Sequence, residues 1–279
     1  MESSLNVHHI NATIDSLKGN HGLGRYVFLT GSDNRAREIS EHFSQVVVLP
    51  HPRQHNLYLG TLSSAVGNID VASISTGMGG PSADIIINEL IIMGARRFLR
   101  VGTAGSLQPD SIKVGDSVIA TGAVRDDKAS WDYIYKEYPA IASLEYLIAS
   151  GRAASATGVN THFGIVHSKS SLYARELHLS LIPENDNYMD SMHKAGVLAT
   201  EMECAQLFVL ASLMSARLLR DKADNHPVLG GCILAIIGDR TSFSSEKEVV
   251  DSAIAATILL SLETTRELFL IDTKRKSVF

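Results

Sequence analysis

The amino-acid sequence predicts an α/β fold, a three-layer α/β/α sandwich around a mixed central sheet. Short runs of β-branched and aromatic residues recur along the chain and are separated by segments with helical periodicity. This alternation is typical of a largely parallel sheet that is covered by helices on both faces. Residues 56–62 are followed by turn residues and then by residues 71–75, which indicates a hairpin and therefore an antiparallel part of the same sheet.

The elements follow from this alternation in chain order. Strands are predicted at residues 26–30, 45–49, 71–75, 98–101, 117–121, 163–167 and 232–237. Helices are predicted at residues 35–43, 81–93, 140–154, 203–219 and 246–269. Pro81 at the start of the second helix and Gly94 just past its end show the usual asymmetry of helix ends. The polar stretches at residues 183–187 and 220–227 are predicted to be surface loops, and we expect one domain over residues 1–279.

Composition limits the classes of function. The chain has 279 residues, of which 45% are hydrophobic and 20% charged, as in an ordinary globular protein. A formal net charge of −5 provides no basic surface for nucleic acid, so we expect a small-molecule ligand. The sequence shows neither a secretory signal nor an apolar run that could cross a membrane, and its two cysteines suit a reducing compartment. We therefore expect a cytoplasmic protein.

Two predicted strands end in an arginine and small residues. Gly31 and Arg35 follow the first strand, and Arg100 and Thr103 lie at the end of the fourth. Guanidinium groups beside backbone amides bind phosphate-sized anions. A single arginine at a strand end is more often a surface salt-bridge partner, but two of them at the ligand-binding edge of a sheet favour a shared anion site.

Two acidic residues are spaced for sugar binding. Glu201 and Glu203 project from the same face of an extended segment, where they could accept hydrogen bonds from a diol such as ribose and stabilise a sugar that becomes cationic. The alternative is that one of them caps or pairs with the helix that begins there. The sequence contains no metal-binding spacing and no nucleophile elbow, which disfavours a catalytic metal and covalent catalysis.

The order of these motifs resembles the uridine phosphorylases of the nucleoside phosphorylase-I family over about residues 25–268. The resemblance rests on Gly31-x-x-x-Arg35, Ser75-Thr-Gly-Met-Gly-Gly-Pro-Ser82, Leu99-Arg-Val-Gly-Thr-Ala-Gly105, Val114-Gly-Asp-Ser-Val118, Glu201-Met-Glu203 and Asp239-Arg240-Thr241. It implies a pentosyltransferase that cleaves a pyrimidine ribonucleoside, most simply uridine, with phosphate as co-substrate and no cofactor or metal. A purine nucleoside phosphorylase and a nucleoside-binding relative without turnover are the alternatives.

The resemblance also implies a role for each matching residue. Phosphate would be bound by Gly31, Arg35, Arg100 and Thr103, with Arg53 reaching a neighbouring subunit's site. Ribose would be bound by Met202, Glu203 and a histidine lent by the neighbour, His9 in preference to His8. The base would contact Gly105, Leu172, Glu176, His178, Glu201 and Ile237, and the catalytic groups would be Arg240, Asp239 and Glu203. Sites shared in this way imply a homo-oligomer, a dimer or a ring of dimers.

Two positions leave the identity of the base open. Glu176 and His178 stand where uridine phosphorylases carry the glutamine and arginine that read uracil, and an ionised glutamate cannot donate a hydrogen bond. Arg175 is an alternative donor. Asp239 is an acid, as in the purine enzymes, where such a group can protonate the leaving base.

Overall fold

The computed structural model describes residues 7–222, 226–239, 244 and 246–276, and in these ranges the chain forms ten β-strands and eight α-helices. The strands are β1 (Tyr26–Thr30), β2 (Ser44–Leu49), β3 (Leu57–Ser64), β4 (Gly67–Ser75), β5 (Arg97–Ser106), β6 (Ser117–Asp126), β7 (Ala140–Ile141), β8 (Thr161–Lys169), β9 (Ala199–Glu201) and β10 (Leu229–Gly238). The helices are α1 (Asp33–Ser40), α2 (Gly80–Ile92), α3 (Lys128–Trp131), α4 (Leu144–Thr157), α5 (Leu172–Glu176), α6 (Glu184–Lys194), α7 (Cys204–Arg220) and α8 (Lys247–Lys276).

The central sheet is mixed, as predicted. β1 lies parallel between β4 and β5, and the hairpin of β3 and β4 continues antiparallel to the edge strand β2. At the other end the order is β10-β6-β8-β9-β5, and β10 also pairs with β5. The strands β5, β10, β6, β8 and β9 therefore close on themselves, which curves this end of the sheet and places β9 next to the ends of β5 and β8.

Helices cover both faces of the sheet. α2 and α7 pack on each other over one face, where residues such as Ile87, Leu90 and Phe208 are buried. α1, α4 and α8 cover the other face, where Tyr146 and Leu260 are buried. Burial of these apolar side chains supplies most of the stabilisation, at roughly 25 cal/mol per Å². The predicted α/β/α arrangement is confirmed.

The structure corrects three details of the prediction. The strand predicted at residues 98–101 was expected to end in small residues, but β5 continues to Ser106 because residues 102–105 pair with β10 and, at Gly105 and Ser106, with β9. Residues 183–187 are not a loop, since α6 begins at Glu184. The helix expected from residue 140 starts at Leu144, because residues 140–141 pair with β6.

None of the helices in the described part of the chain is both long enough and apolar enough to span a membrane.

Candidate active site

A cleft opens where β1, β5 and β8 end. Its walls come from segments far apart in the sequence, because the carboxyl ends of neighbouring parallel strands meet at one edge of the sheet. The predicted site residues that line it are Gly31, Arg35, Arg100, Thr103, Gly105, Leu172, Glu176, Glu201, Met202, Glu203 and Ile237.

Arg100 is the buried cation of this cleft. Its Nε donates to Glu201 Oε2 at 3.1 Å, and its Nη2 pairs with Glu203 Oε2. Burial by itself would lower the pKa of the guanidinium, but the carboxylates of Glu203 and Glu201 outweigh burial and raise that pKa. The Nη1 atom is buried without a hydrogen-bond partner among the described residues. Gly102 makes room for this side chain, since a Cβ there would lie 2.8 Å from Leu234 and 3.0 Å from Arg100 Nη2.

Arg35 supplies a second cation beside the first. It lies in the first turn of α1, where Ser32 caps the helix by accepting the Arg35 backbone N–H at 3.4 Å. Burial and the charge of Arg100 both lower the pKa of the Arg35 guanidinium. Its Nε is buried and, within the described residues, has no hydrogen-bond partner. Two mutually repelling guanidinium groups with unsatisfied donors form a site that fits an anion.

Glu203 is held between Arg100 and a glycine-rich turn. The backbone N–H of Gly79 donates to Glu203 Oε1 at 2.5 Å. Gly79 has φ = +86°, a conformation that other residues adopt only with strain, so the turn depends on glycine to aim this N–H. Burial raises the pKa of the Glu203 carboxyl, and the nearby Glu201 adds to that effect, whereas Arg100 opposes it.

Glu201 has a different environment from its neighbour. Its carboxylate is completely buried and accepts hydrogen bonds from Ser168 Oγ, from Arg100 Nε and from the backbone N–H groups of Glu203 (2.8 Å) and Cys204 (3.0 Å). Cys204 is the first residue of α7, so Glu201 satisfies a free N–H of that helix. The sequence had left open whether one of the two acids caps this helix, and the structure assigns that contact to Glu201.

Lys169 lies at the end of β8 and is 2% exposed. Its Nζ pairs with Glu176 Oε1 and donates to Thr200 Oγ1 at 3.0 Å. Thr200 Oγ1 also lies 3.1 Å from Glu176 Oε1. All three side chains line the cleft, and Lys169 and Thr200 were absent from the predicted site.

The model of the phosphorylase superfamily matches residues 25–223 of the chain. The chain belongs to the phosphorylase superfamily. It is 36% identical over 222 residues to a uridine phosphorylase of Treponema pallidum, an alignment that covers 78% of this chain and 79% of that protein. A guanosine phosphorylase of Halorubrum lacusprofundi is 33% identical over 183 residues, which cover 66% of this chain and 70% of the relative. The crystal structure of a uridine phosphorylase from Vibrio fischeri superposes with a TM-score of 0.76 at 26% identity, covering 95% of this chain and 98% of that one.

The remaining predicted residues of this superfamily member lie at different distances from the cleft. Asp239 and His178 line an adjoining cavity that shares Glu176 and Thr200 with the cleft. His178 is exposed and pairs with Asp186. Arg240 lies outside the described residues.

Two predicted residues do not line the cleft of their own chain. Arg53 is exposed, on the loop between β2 and β3. His9 is held by Glu89, through its backbone N–H at 2.9 Å and its Nδ1 at 2.8 Å. Burial works against ionisation of Glu89, but the N–H groups of His8 and His9 and the His9 ring lower its carboxyl pKa overall.

Arg175, the alternative base reader, is engaged elsewhere. Its Nε and Nη2 each donate to Asp126 at 2.7 Å, and its guanidinium stacks on Tyr188 with 4.3 Å to the ring centroid. A bidentate pair of this kind is among the stronger polar contacts in proteins. The structure therefore does not support Arg175 as a donor to the base.

In the ranges that the structure describes, no group of three or more His, Cys, Asp or Glu side chains is arranged to hold a metal ion.

Proposed function

We propose that the protein cleaves uridine with inorganic phosphate to uracil and ribose 1-phosphate. The observation that carries this proposal is the pair of guanidinium groups, Arg35 and Arg100, whose buried nitrogens lack partners among the described residues and lie in one cleft beside Glu203. A phosphate would supply the missing acceptors for both arginines, with Gly31 and Thr103 completing its contacts. The uridine phosphorylases among the relatives support this choice of substrate.

The chemistry needs position and charge more than a covalent nucleophile. As the bond to the base breaks, the ribosyl group becomes cationic, and phosphate attacks its anomeric carbon from the arginine side. Glu203, fixed by Gly79 and Arg100, would accept the 2′ and 3′ hydroxyls while its negative charge favours the cationic sugar. Met202 would pack against the ribose.

The base would lie beside Gly105, Leu172 and Ile237, which line the same cleft. Glu201 was predicted to contact the base, but its carboxylate is buried under four donors. We assign it to positioning Arg100 instead. Arg240 is proposed to stabilise negative charge on the leaving base.

We propose that the working enzyme is a homo-oligomer, at least a dimer. His9 and Arg53 lie outside the cleft of their own chain, and a neighbouring copy would use them, His9 on the ribose 5′ hydroxyl and Arg53 on the phosphate. The anchoring of His9 by Glu89 would present that ring in one orientation. We propose a cytoplasmic enzyme that uses phosphate as co-substrate and needs no cofactor.

A purine nucleoside is the second candidate substrate. Asp239 lines the cavity that adjoins the cleft, where an acid could protonate a purine as it leaves. The guanosine phosphorylase among the relatives also favours this candidate.

The test is release of free base from uridine, thymidine, inosine and adenosine, each with and without phosphate. Phosphate-dependent uracil release is expected. Base release that is independent of phosphate, or no release from any of the four, would contradict the proposal. The variant Asp239→Asn separates the candidates, because loss of cleavage confined to inosine and adenosine would identify Asp239 as a proton donor to purines.

A further inference from the structure

Lys169 is a buried ammonium group that the roles assigned so far do not use. Its side chain is 3% exposed, yet it lines the cleft at the end of β8. Burying an ammonium group is costly unless it is paired, and Lys169 is paired with Glu176 and hydrogen-bonded to Thr200. An ammonium group has three donors, and these two contacts occupy two of them.

Glu176 provides a hydrogen-bond acceptor beside the Lys169 ammonium group. Its Oε1 takes the contacts of Lys169 and Thr200. Its Oε2 lies 3.8 Å from the position that a Cβ on Gly105 would occupy, so this oxygen lies close to the glycine that is proposed to contact the base. Among the described residues no hydrogen bond to Glu176 Oε2 is formed. A cationic donor and an anionic acceptor thus lie side by side at one wall.

We propose that Lys169 and Glu176 together read the N–H/C=O edge of the base, with Glu176 accepting the ring N–H and Lys169 donating to the neighbouring carbonyl. The inference rests on the proposed phosphorolysis and names the base class that it accepts. Uracil, thymine, hypoxanthine and guanine present this edge. Cytosine and adenine present an amine and an unprotonated nitrogen at this edge. The amine would face Lys169, donor against donor, and the nitrogen would face Glu176, acceptor against acceptor.

The pair also accounts for the glutamate that stands where glutamine is expected. A glutamine provides one acceptor and one donor from a single amide, whereas Glu176 provides only the acceptor. Lys169, at the end of β8, supplies the missing donor. The two other candidates are occupied, Arg175 by Asp126 and His178 by Asp186.

The experiment measures binding of the two products separately, using the full-length enzyme and calorimetry. Lys169→Met should weaken uracil binding by roughly 10- to 100-fold, the range for a lost hydrogen bond to a charged group, and leave ribose 1-phosphate binding unchanged. Lys169→Arg should restore part of the uracil affinity. Lys136→Met, which removes an exposed lysine, is the matched control and should change neither affinity.

A measurement on the unmodified enzyme keeps the test independent of folding defects. Uracil should bind roughly 100-fold more tightly than cytosine or 3-methyluracil, because the first reverses the donor pattern and the second lacks the N–H. Equal affinities for uracil and cytosine would overturn the inference, as would a Lys169→Met variant that loses uracil and ribose 1-phosphate affinity in parallel. Product binding requires no turnover. If the unmodified enzyme cleaved no nucleoside but the Lys169→Met variant still lost uracil affinity, the proposed function would be refuted and base recognition by Lys169 and Glu176 would be supported.

Discussion

Replacing Arg35 with methionine should weaken phosphate use without weakening the fold. The Arg35 Nε is buried and makes no hydrogen bond within the described residues, and Arg100 repels the Arg35 guanidinium. Methionine keeps much of the side-chain length and removes the charge, so the folded protein loses the repulsion by Arg100 together with the attractions of Glu38 and Glu203. The same substitution deletes one of the two guanidinium groups proposed to hold phosphate.

We expect a large effect on phosphate use and a small effect on stability. Loss of a hydrogen bond to a charged group costs about 1.5–3 kcal/mol, which corresponds to a decrease of about 10- to 150-fold in kcat/KM for phosphate. Because these opposing effects largely cancel, the free energy of unfolding should change by less than about 1 kcal/mol, and Tm by less than about 3 °C.

Two assays on the same samples test the expected effects on phosphate use and on stability. Initial rates over a range of phosphate concentrations report kcat/KM, and thermal unfolding with and without phosphate reports binding. Phosphate at 100 times its Kd should stabilise the unmodified protein by about 2.7 kcal/mol, and Arg35→Met by less than about 1.4 kcal/mol at the same concentration. Arg37→Met is the control, since Arg37 is an exposed residue of the same helix.

The reasoning would be refuted by an Arg35→Met protein that uses phosphate as well as Arg37→Met does. It would also be refuted by a loss of about 3–5 kcal/mol of stability, because a loss of that size indicates a broken buried ion pair.

Two further predictions follow from other buried carboxyl groups. Glu201→Gln places an amide NH₂ among four donors, so it should lower stability by about 3–5 kcal/mol and raise the KM for phosphate through misplacement of Arg100; a variant that loses affinity for uracil alone would instead indicate direct contact of Glu201 with the base. Burial raises the pKa of Asp127 from 3.8 to about 6, so the folded protein binds a proton at this carboxyl more tightly than the unfolded chain does. The free energy of unfolding therefore falls as the pH rises from about 4 to 6, and above pH 6 the ionised carboxylate lowers it by a constant amount. Asp127→Asn should therefore be more stable than the unmodified protein at pH 7 by up to about 3 kcal/mol, and chemical denaturation should show this advantage shrinking as the pH falls from 6 to 4; an advantage that does not change with pH would contradict it.

Local periodicity predicted the helices and strands in which the spacing of apolar residues along the sequence matches the face that is buried. The strand at residues 26–30 has the predicted bounds, and the helix predicted at residues 81–93 is observed as Gly80–Ile92. The prediction was wrong where distant pairing overrides local composition. Residues 102–105 have the composition of a turn, but pairing with β9 and β10, which follow much later in the chain, keeps them extended.

The sequence alone determined the α/β class, the order of the motifs and most of the residues that line the cleft, because strand ends in such a fold converge on one edge. The tertiary structure decided what each charged group contacts. Glu201 and Glu203 share one motif and both line the cleft, but Glu201 accepts hydrogen bonds from Ser168 and from the start of α7, whereas Glu203 accepts one from Gly79. Lys169 carries no sequence signal of its own. The register that pairs Ser168 with Glu201 brings Lys169 beside Thr200 and Glu176. Such a register depends on how whole strands pair, which the residues around Lys169 alone do not determine.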